Sequence, residues 1–226
     1  MMSARRRWLE TGLLALAVTV ASSRLVPGGG AARALTGEQV IQRVQERFAA
    51  YECVTARFEK RFHWAALDRT STRQGRIYMC RPDRFRVELD DGSLLLADGA
   101  GIWSYSSRNQ QALVNPYQGE LQTPWEVFVD YRSEYAPVAI AEVSLGKSAC
   151  YLITLKPQSG AAGVTHLKLW VDRKEWHLRQ VEQQEASGNL TTYTLSDLRT
   201  DRRPDVGLFR FVVPEGTQVI DRRPPP

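Results

Sequence analysis

The chain has 226 residues, 43% of them hydrophobic, with 6 Trp, 8 Tyr and 7 Phe; that composition excludes a disordered polymer and allows one domain of generous size. Outside the first 34 residues, which hold Arg5, Arg6, Arg7, Arg24 and Arg33 against Glu10, the formal charge falls from +5 to +1. A nearly neutral body carries no basic footprint of the kind nucleic acid needs, so nucleic-acid binding is excluded as an expectation.

The N-terminus reads as a targeting segment. Arg5-Arg6-Arg7 is a positive n-region, Leu13 to Ala21 an apolar h-region, and Ala32-Arg33-Ala34 an A-x-A cleavage signal. The apolar run falls short of the roughly 20 residues that span a bilayer. An uncleaved anchor is the alternative. The arginine run does not distinguish the general secretory route from twin-arginine export. This divides the chain into a leader over 1–34, a body over 35–221 and a Pro-rich tail over 222–226 that is expected to be disordered.

Thr36-Gly37-Glu38-Gln39 fits a capping box, and Val40, Ile41, Val44 and Phe48 follow at helical spacing. This predicts an amphipathic helix over about 37–50. The period then drops to two. Val54, Ala56, Phe58 and Phe62 alternate with polar residues, Gly75 to Met79 follows, and Phe85, Val87 and Leu89 alternate with Arg84, Arg86 and Glu88. Turns at Asp91-Gly92, Asp98-Gly99 and 106–109 separate strands at 93–97, 102–105 and 110–114, the signature of an antiparallel meander. Later strands are expected near 138–145, 148–156, 164–172, 175–184 and 190–198, with a last pair near 208–213 and 217–220. Between the two sets, Thr123-Pro124-Trp125-Glu126 is a second capping box with Pro at the first helical position. The short helix it opens carries Trp125, Phe128 and Val129 on one face and is apolar nearly all round, so it must be covered. The expected fold is mainly β: an unclosed antiparallel half-barrel with helices over its open side.

The search for catalytic chemistry is negative. His63, His166 and His177 have no partners at metal-ligand spacing, and there is no nucleophile elbow. Gly146-Lys147-Ser148 lacks the earlier glycine of a phosphate-binding loop and reads as a hairpin turn, as does Asp90-Asp91-Gly92. No metal, cofactor or enzymatic activity is expected. Cysteine says more. A first hairpin centred on residues 66–67 sets Cys53 opposite Cys80, which in an oxidising compartment argues for a disulfide; three reduced thiols are the alternative. Cys150 is expected free and buried in either case. Arg81 shares parity with Ile77 and Met79, so it should point toward the apolar side. One reading makes it a latch between sheet and helix, its donors satisfied by carbonyls at a helix end. The other lets it snorkel to water from the strand end.

These residues carry a resemblance. Gly75 to Phe85 (GRIYMCRPDRF), Leu95-Leu96-Ala97-Asp98-Gly99, Ile102-Trp103-Ser104-Tyr105, the Thr123-Pro124-Trp125 helix start and Leu208 to Asp221 together resemble the outer-membrane lipoprotein carrier (LolA) family, in the right order over nearly all of the body. The resemblance implies a hydrophobic cavity under a helical lid, an acylated lipoprotein or lipid as cargo, and a periplasmic location. It also implies an inner-membrane lipoprotein-releasing transporter and an outer-membrane receptor as partners, and a monomeric carrier. It makes Arg81 the lid latch and residues 125–131 the lid. The cavity lining it suggests is Val44, Phe48, Phe58, Ile77, Met79, Phe85, Val87, Leu96, Trp125, Phe128, Val129, Leu167 and Leu169. Glu126 and Asp130 make this lid more polar than the family pattern, and the Cys53 and Cys80 pair is not part of that pattern. A lipid-binding or lipoprotein-sensing module of the same fold is the alternative.

Overall fold

Residues 34–117, 135–158 and 163–224 are described by a computed structural model. Helix α1 spans Gly37–Ala49, and its start is the expected capping box: the Gln39 amide donates to Thr36 Oγ1 (3.2 Å) and the Thr36 amide to Gln39 Oε1 (2.9 Å). Ten antiparallel strands follow from the alternating segments: β1 (Cys53–Trp64), β2 (Arg69–Cys80), β3 (Arg84–Leu89), β4 (Leu94–Asp98), β5 (Gly101–Ser106), β6 (Gln111–Pro116), β7 (Tyr135–Leu145), β8 (Ser148–Pro157), β9 (Val164–Asp172) and β10 (Leu178–Glu185). β11 (Leu190–Arg199) returns to pair with β1, and β12 (Gln218–Asp221) ends the sheet. The order is β12-β6-β5-β4-β3-β2-β1-β11-β10-β9-β8-β7, one unclosed sheet of 12 strands. It consists of two meanders, β1–β6 and β7–β11, stitched together by β1 against β11.

Several boundaries differ from the sequence expectation. β2 begins six residues earlier than Gly75, because the polar run 69–74 continues the ladder to Trp64. β10 begins at Leu178 rather than 175, since Trp176 lies in a turn with φ +57°. No strand forms over 208–213. Val206–Phe209 is instead a short 3-10 helix, capped by Asp205, whose side chain accepts from the Gly207 amide. It swings Phe209 into a buried position. β12 pairs with β6 in parallel, Val219 opposite Ala112, so the sheet is not wholly antiparallel. The expected helix over 125–131 and the leader lie outside the described residues.

Directly opposed residues of an antiparallel ladder share a face, which sorts the sheet into two sides. The inner face carries Ala56, Phe58, Ile77, Leu195, Val181, Leu169 and Ile153, packed with Val40 and Ile41 of α1 into the main core. Gly75 serves that core: it faces Phe58 across the ladder, and an added Cβ would meet the Phe58 ring at 2.9 Å and the Glu88 carbonyl oxygen at 2.0 Å. The outer face has a core of its own at the β3–β6 end. Leu94, Leu96, Ala112 and Val114 are buried there. Trp103 and Tyr105 pack at a tilt against Phe211 of the returning chain, with ring centres 5.2 and 5.6 Å away.

Cys53 and Cys80, opposite in register, are joined by a disulfide that ties the open end of the β1–β2 hairpin. Cys150 is free and buried.

Candidate functional site

A cavity of about 330 Å³ lies between the C-terminal half of α1 and the inner face of the sheet. Val44, Phe48 and Ala49 come from the helix, Val54 and Ala56 from β1, Ile77 and Met79 from β2, and Leu195 and Leu198 from β11. Trp176, His177 and Leu178 close it from the β9–β10 turn. The helical period puts Val44 and Phe48 one turn apart on the face toward the sheet, and the strand period puts Val54 with Ala56 and Ile77 with Met79 on the face toward the helix. Its size is at the small end of the roughly 300–1,000 Å³ of ligand pockets.

The mouth is polar. Tyr51, just past the helix, meets His177 through an Oη to Nε2 hydrogen bond of 2.6 Å. Arg81 follows the end of β2. Its Nε donates to the Tyr51 carbonyl (3.1 Å), its backbone amide donates to the Glu52 carbonyl (2.9 Å), and its guanidinium stands 5.9 Å from the Phe48 ring centre. A cation at this place also meets the negative end of the α1 dipole. Arg81 is exposed at the rim, not turned into the apolar side as its parity suggested, because the regular ladder of β2 ends at Cys80. Its acceptor is the carbonyl of Tyr51, the residue after the Ala50 C-cap of α1.

The turn that presents Trp176 and His177 is pinned by Asp172. Its buried carboxylate accepts from the amides of Lys174 and Glu175 (2.9 Å each) and from Arg179 Nε (3.1 Å) and Nη2 (2.9 Å). Burial alone would raise the Asp172 pKa, but the Glu175 and Lys174 amides and Arg179 outweigh it and hold the group below the ordinary carboxylate value. Burial, with Arg179 and Arg47 adding to it, pushes the His177 imidazole below its ordinary value. Burial, assisted by Glu175, raises the Tyr51 phenol despite the opposing pull of Arg47.

Of the residues expected to line a cavity, Val44, Phe48, Ile77 and Met79 do so. Phe58, Leu167 and Leu169 are packed into the solid core beside it, and Val87 packs against that core. Phe85 is buried opposite Met79. Leu96 belongs elsewhere: it pairs with Arg86 and Trp103, so it faces the outer core. The run Leu94-Leu95-Leu96 has no alternation, which left its facing unreadable from sequence. Trp125, Phe128 and Val129 lie outside the described residues. Tyr51, Trp176, His177, Leu178, Leu195 and Leu198 were missed as lining residues. A signal existed for Trp176-His177, two bulky rings after the charged Asp172 to Glu175 turn, but the reading of 175–184 as one strand hid it.

An apolar pocket with a few convergent polar groups at its mouth, on the inner face of an unclosed sheet, has the form that suits a largely apolar ligand. Comparison with known proteins narrows the class. Residues 50–212 match the family model of the outer membrane lipoprotein carrier protein LolA, and the chain belongs to that family. It is 25% identical over 156 residues to an outer-membrane lipoprotein carrier protein of Shewanella sp. (strain MR-4), covering 67% of this chain and 72% of that one. It is 24% identical over 193 residues to the carrier of Actinobacillus pleuropneumoniae serotype 3, covering 84% and 87%. Among solved structures, an uncharacterized conserved protein of Thermus thermophilus superposes with TM-score 0.56 at 13% identity, over 82% of this chain and 98% of that one. MucB superposes with TM-score 0.52 at 13% identity, over 77% and 62%. These two likenesses show the shared fold alone.

Proposed function

We propose that the protein is a periplasmic carrier, exported with a leader cleaved near Ala34, that shelters acyl chains of lipoproteins beneath α1. It takes them from an inner-membrane releasing transporter and surrenders them to an outer-membrane receptor, without catalysing a reaction. The observation that carries this reading is the apolar cavity between α1 and β1, β2 and β11, with Arg81 bonded at its mouth to the Tyr51 carbonyl. Hydrocarbon entering such a cavity gains about 0.8 kcal/mol per CH₂, so a long chain would bind too tightly to hand on. A contact that must part when the cavity fills lowers the net affinity. Arg81 makes that contact, and at an exposed rim such a charge-assisted hydrogen bond is worth about 1 kcal/mol.

The test uses Arg81→Leu. Loaded with a triacylated lipopeptide and followed by native mass spectrometry, the variant takes up cargo at least as well as wild type. It then passes that cargo to acceptor receptor several-fold more slowly. Transfer at the wild-type rate overturns the role of Arg81, and a wild-type protein that takes up no lipopeptide overturns the carrier reading.

A further inference from the structure

Three arginines sit on aromatic rings of the cavity wall: Arg81 itself lines the cavity, and Arg43 and Arg47 are exposed on α1 beside it. The guanidinium of Arg43 lies 4.6 Å from the Trp176 ring centre, that of Arg47 5.4 Å from Tyr51, and that of Arg81 5.9 Å from Phe48. All three rings line the cavity. Among the described residues no carboxylate stands within ion-pair distance of Arg43, Arg47 or Arg81. The nearby acids are engaged elsewhere: Glu46 accepts from Gln42 Nε2, Glu175 pairs with Lys174, and Glu52 pairs with Arg203. Stacking on a ring fixes a guanidinium while leaving N–H groups at its edge free to donate, the arrangement that receives phosphate and carboxylate oxygens. With no carboxylate in ion-pair contact, these three guanidiniums gain from an anion placed among them.

We propose, resting on the reading that hydrocarbon enters beneath α1, that the ligand of this pocket is an amphiphile with an anionic headgroup, a phosphate or a carboxylate, received by the collar of Arg43, Arg47 and Arg81. A lipid-modified cysteine carries no such charge, so the collar assigns the cavity to an acidic lipid, alone or alongside a lipoprotein. The apolar wall selects for the chain, and the collar selects for the head.

Displacement of a fluorescent fatty alcohol from the purified protein, with competitors below their micellar concentrations, tests this. Palmitoyl-lysophosphatidylglycerol, whose head is negative, is expected to bind about tenfold or more tightly than 1-palmitoylglycerol, whose head is uncharged and holds no phosphate, an advantage of about 1.4 kcal/mol. Added salt shrinks the difference. The Arg43→Gln/Arg47→Gln variant loses the preference while still binding 1-palmitoylglycerol, which has no charged group for the collar to meet, and that binding also reports that it is folded. Glycerol phosphate, the head without a chain, does not compete. Equal affinity for the two lipids in wild type overturns the collar and leaves the apolar cavity standing. So does a preference that survives in the double variant. Competition by glycerol phosphate as strong as by the lipid overturns it too, since the anion site would then be independent of the cavity. If the fatty alcohol and both lipids fail to bind, the acyl-binding reading falls and the headgroup site falls with it.

Discussion

His177 shows how one side chain can report on the state of the cavity. Its ring is half-buried, bonded to the Tyr51 hydroxyl, and surrounded by Arg47 and Arg179 against Glu175 and Asp172. Its folded pKa lies below the ordinary 6.5, so the unfolded chain takes up a proton that the folded chain refuses. The stability that depends on the neutral ring is therefore whole above about pH 6.5 and is lost as pH falls below it. We expect the unfolding free energy of wild type, minus that of His177→Asn, to shrink between about pH 7.5 and about pH 5. Urea titrations at a series of pH values measure this, and a constant difference refutes it. Nothing in the sequence marked His177 out from His63 and His166. The burial of a ring in a β9–β10 turn depends on α1 and Tyr51 crossing above it, and no local pattern contains that contact. Arg81 was the reverse case. Its position after Met79-Cys80 made it conspicuous, yet parity failed once the ladder stopped at Cys80, and the carbonyl it meets is that of Tyr51, after α1, while the expected lid lies outside the described residues.

At the scale of elements, the β1–β2 hairpin was the most legible part of the fold. Its register, Cys53 opposite Cys80 and Trp64 opposite Arg69, follows from a centre at residues 66–67. Its length did not follow, because the strand residues Thr70 to Arg73 are exposed and polar and show no alternation. The capping box of α1 was equally plain. The 3-10 helix at Val206–Phe209 was not: Leu208-Phe209-Arg210-Phe211 alternates like a strand, and only the Asp205 cap and the buried site for Phe209 decide otherwise. The disulfide closes a loop of 27 residues at the wide end of the hairpin, next to Val54 and Met79 in the cavity wall. Chain-entropy arguments give such a link about 3–4 kcal/mol. Cys53→Ala/Cys80→Ala is expected to lose about 2–4 kcal/mol in denaturant unfolding, and reductant should lower the wild-type midpoint toward that of the variant. A variant as stable as wild type shows that the hairpin holds without the link.

At the scale of the whole molecule, the sheet supports two cores on opposite faces, one built around α1 and one beneath the returning C-terminal chain. This separation predicts the effect of the misassigned Leu96. It is fully buried on the outer face, so Leu96→Ala should cost about 3 kcal/mol. It should leave lipid affinity at the inner cavity unchanged, and a loss of affinity in a still-folded variant contradicts the two-core description. The sequence displayed both meanders but not their join. That β1 pairs with β11 and β12 with β6 rests on contacts between residues more than a hundred positions apart, for which no local pattern exists. The join has a consequence for the order of assembly. β1 is among the first strands to leave the ribosome or a translocation channel, and its free edge, from Thr55 to His63, waits for residues 190–199. Through that interval the N-terminal meander exposes an unpaired strand edge beside apolar Ala56 and Phe58, the condition under which chains pair with the wrong neighbour. High contact order makes the final closure slow, so a newly made chain is most open to pairing with its own copies until its last third has arrived.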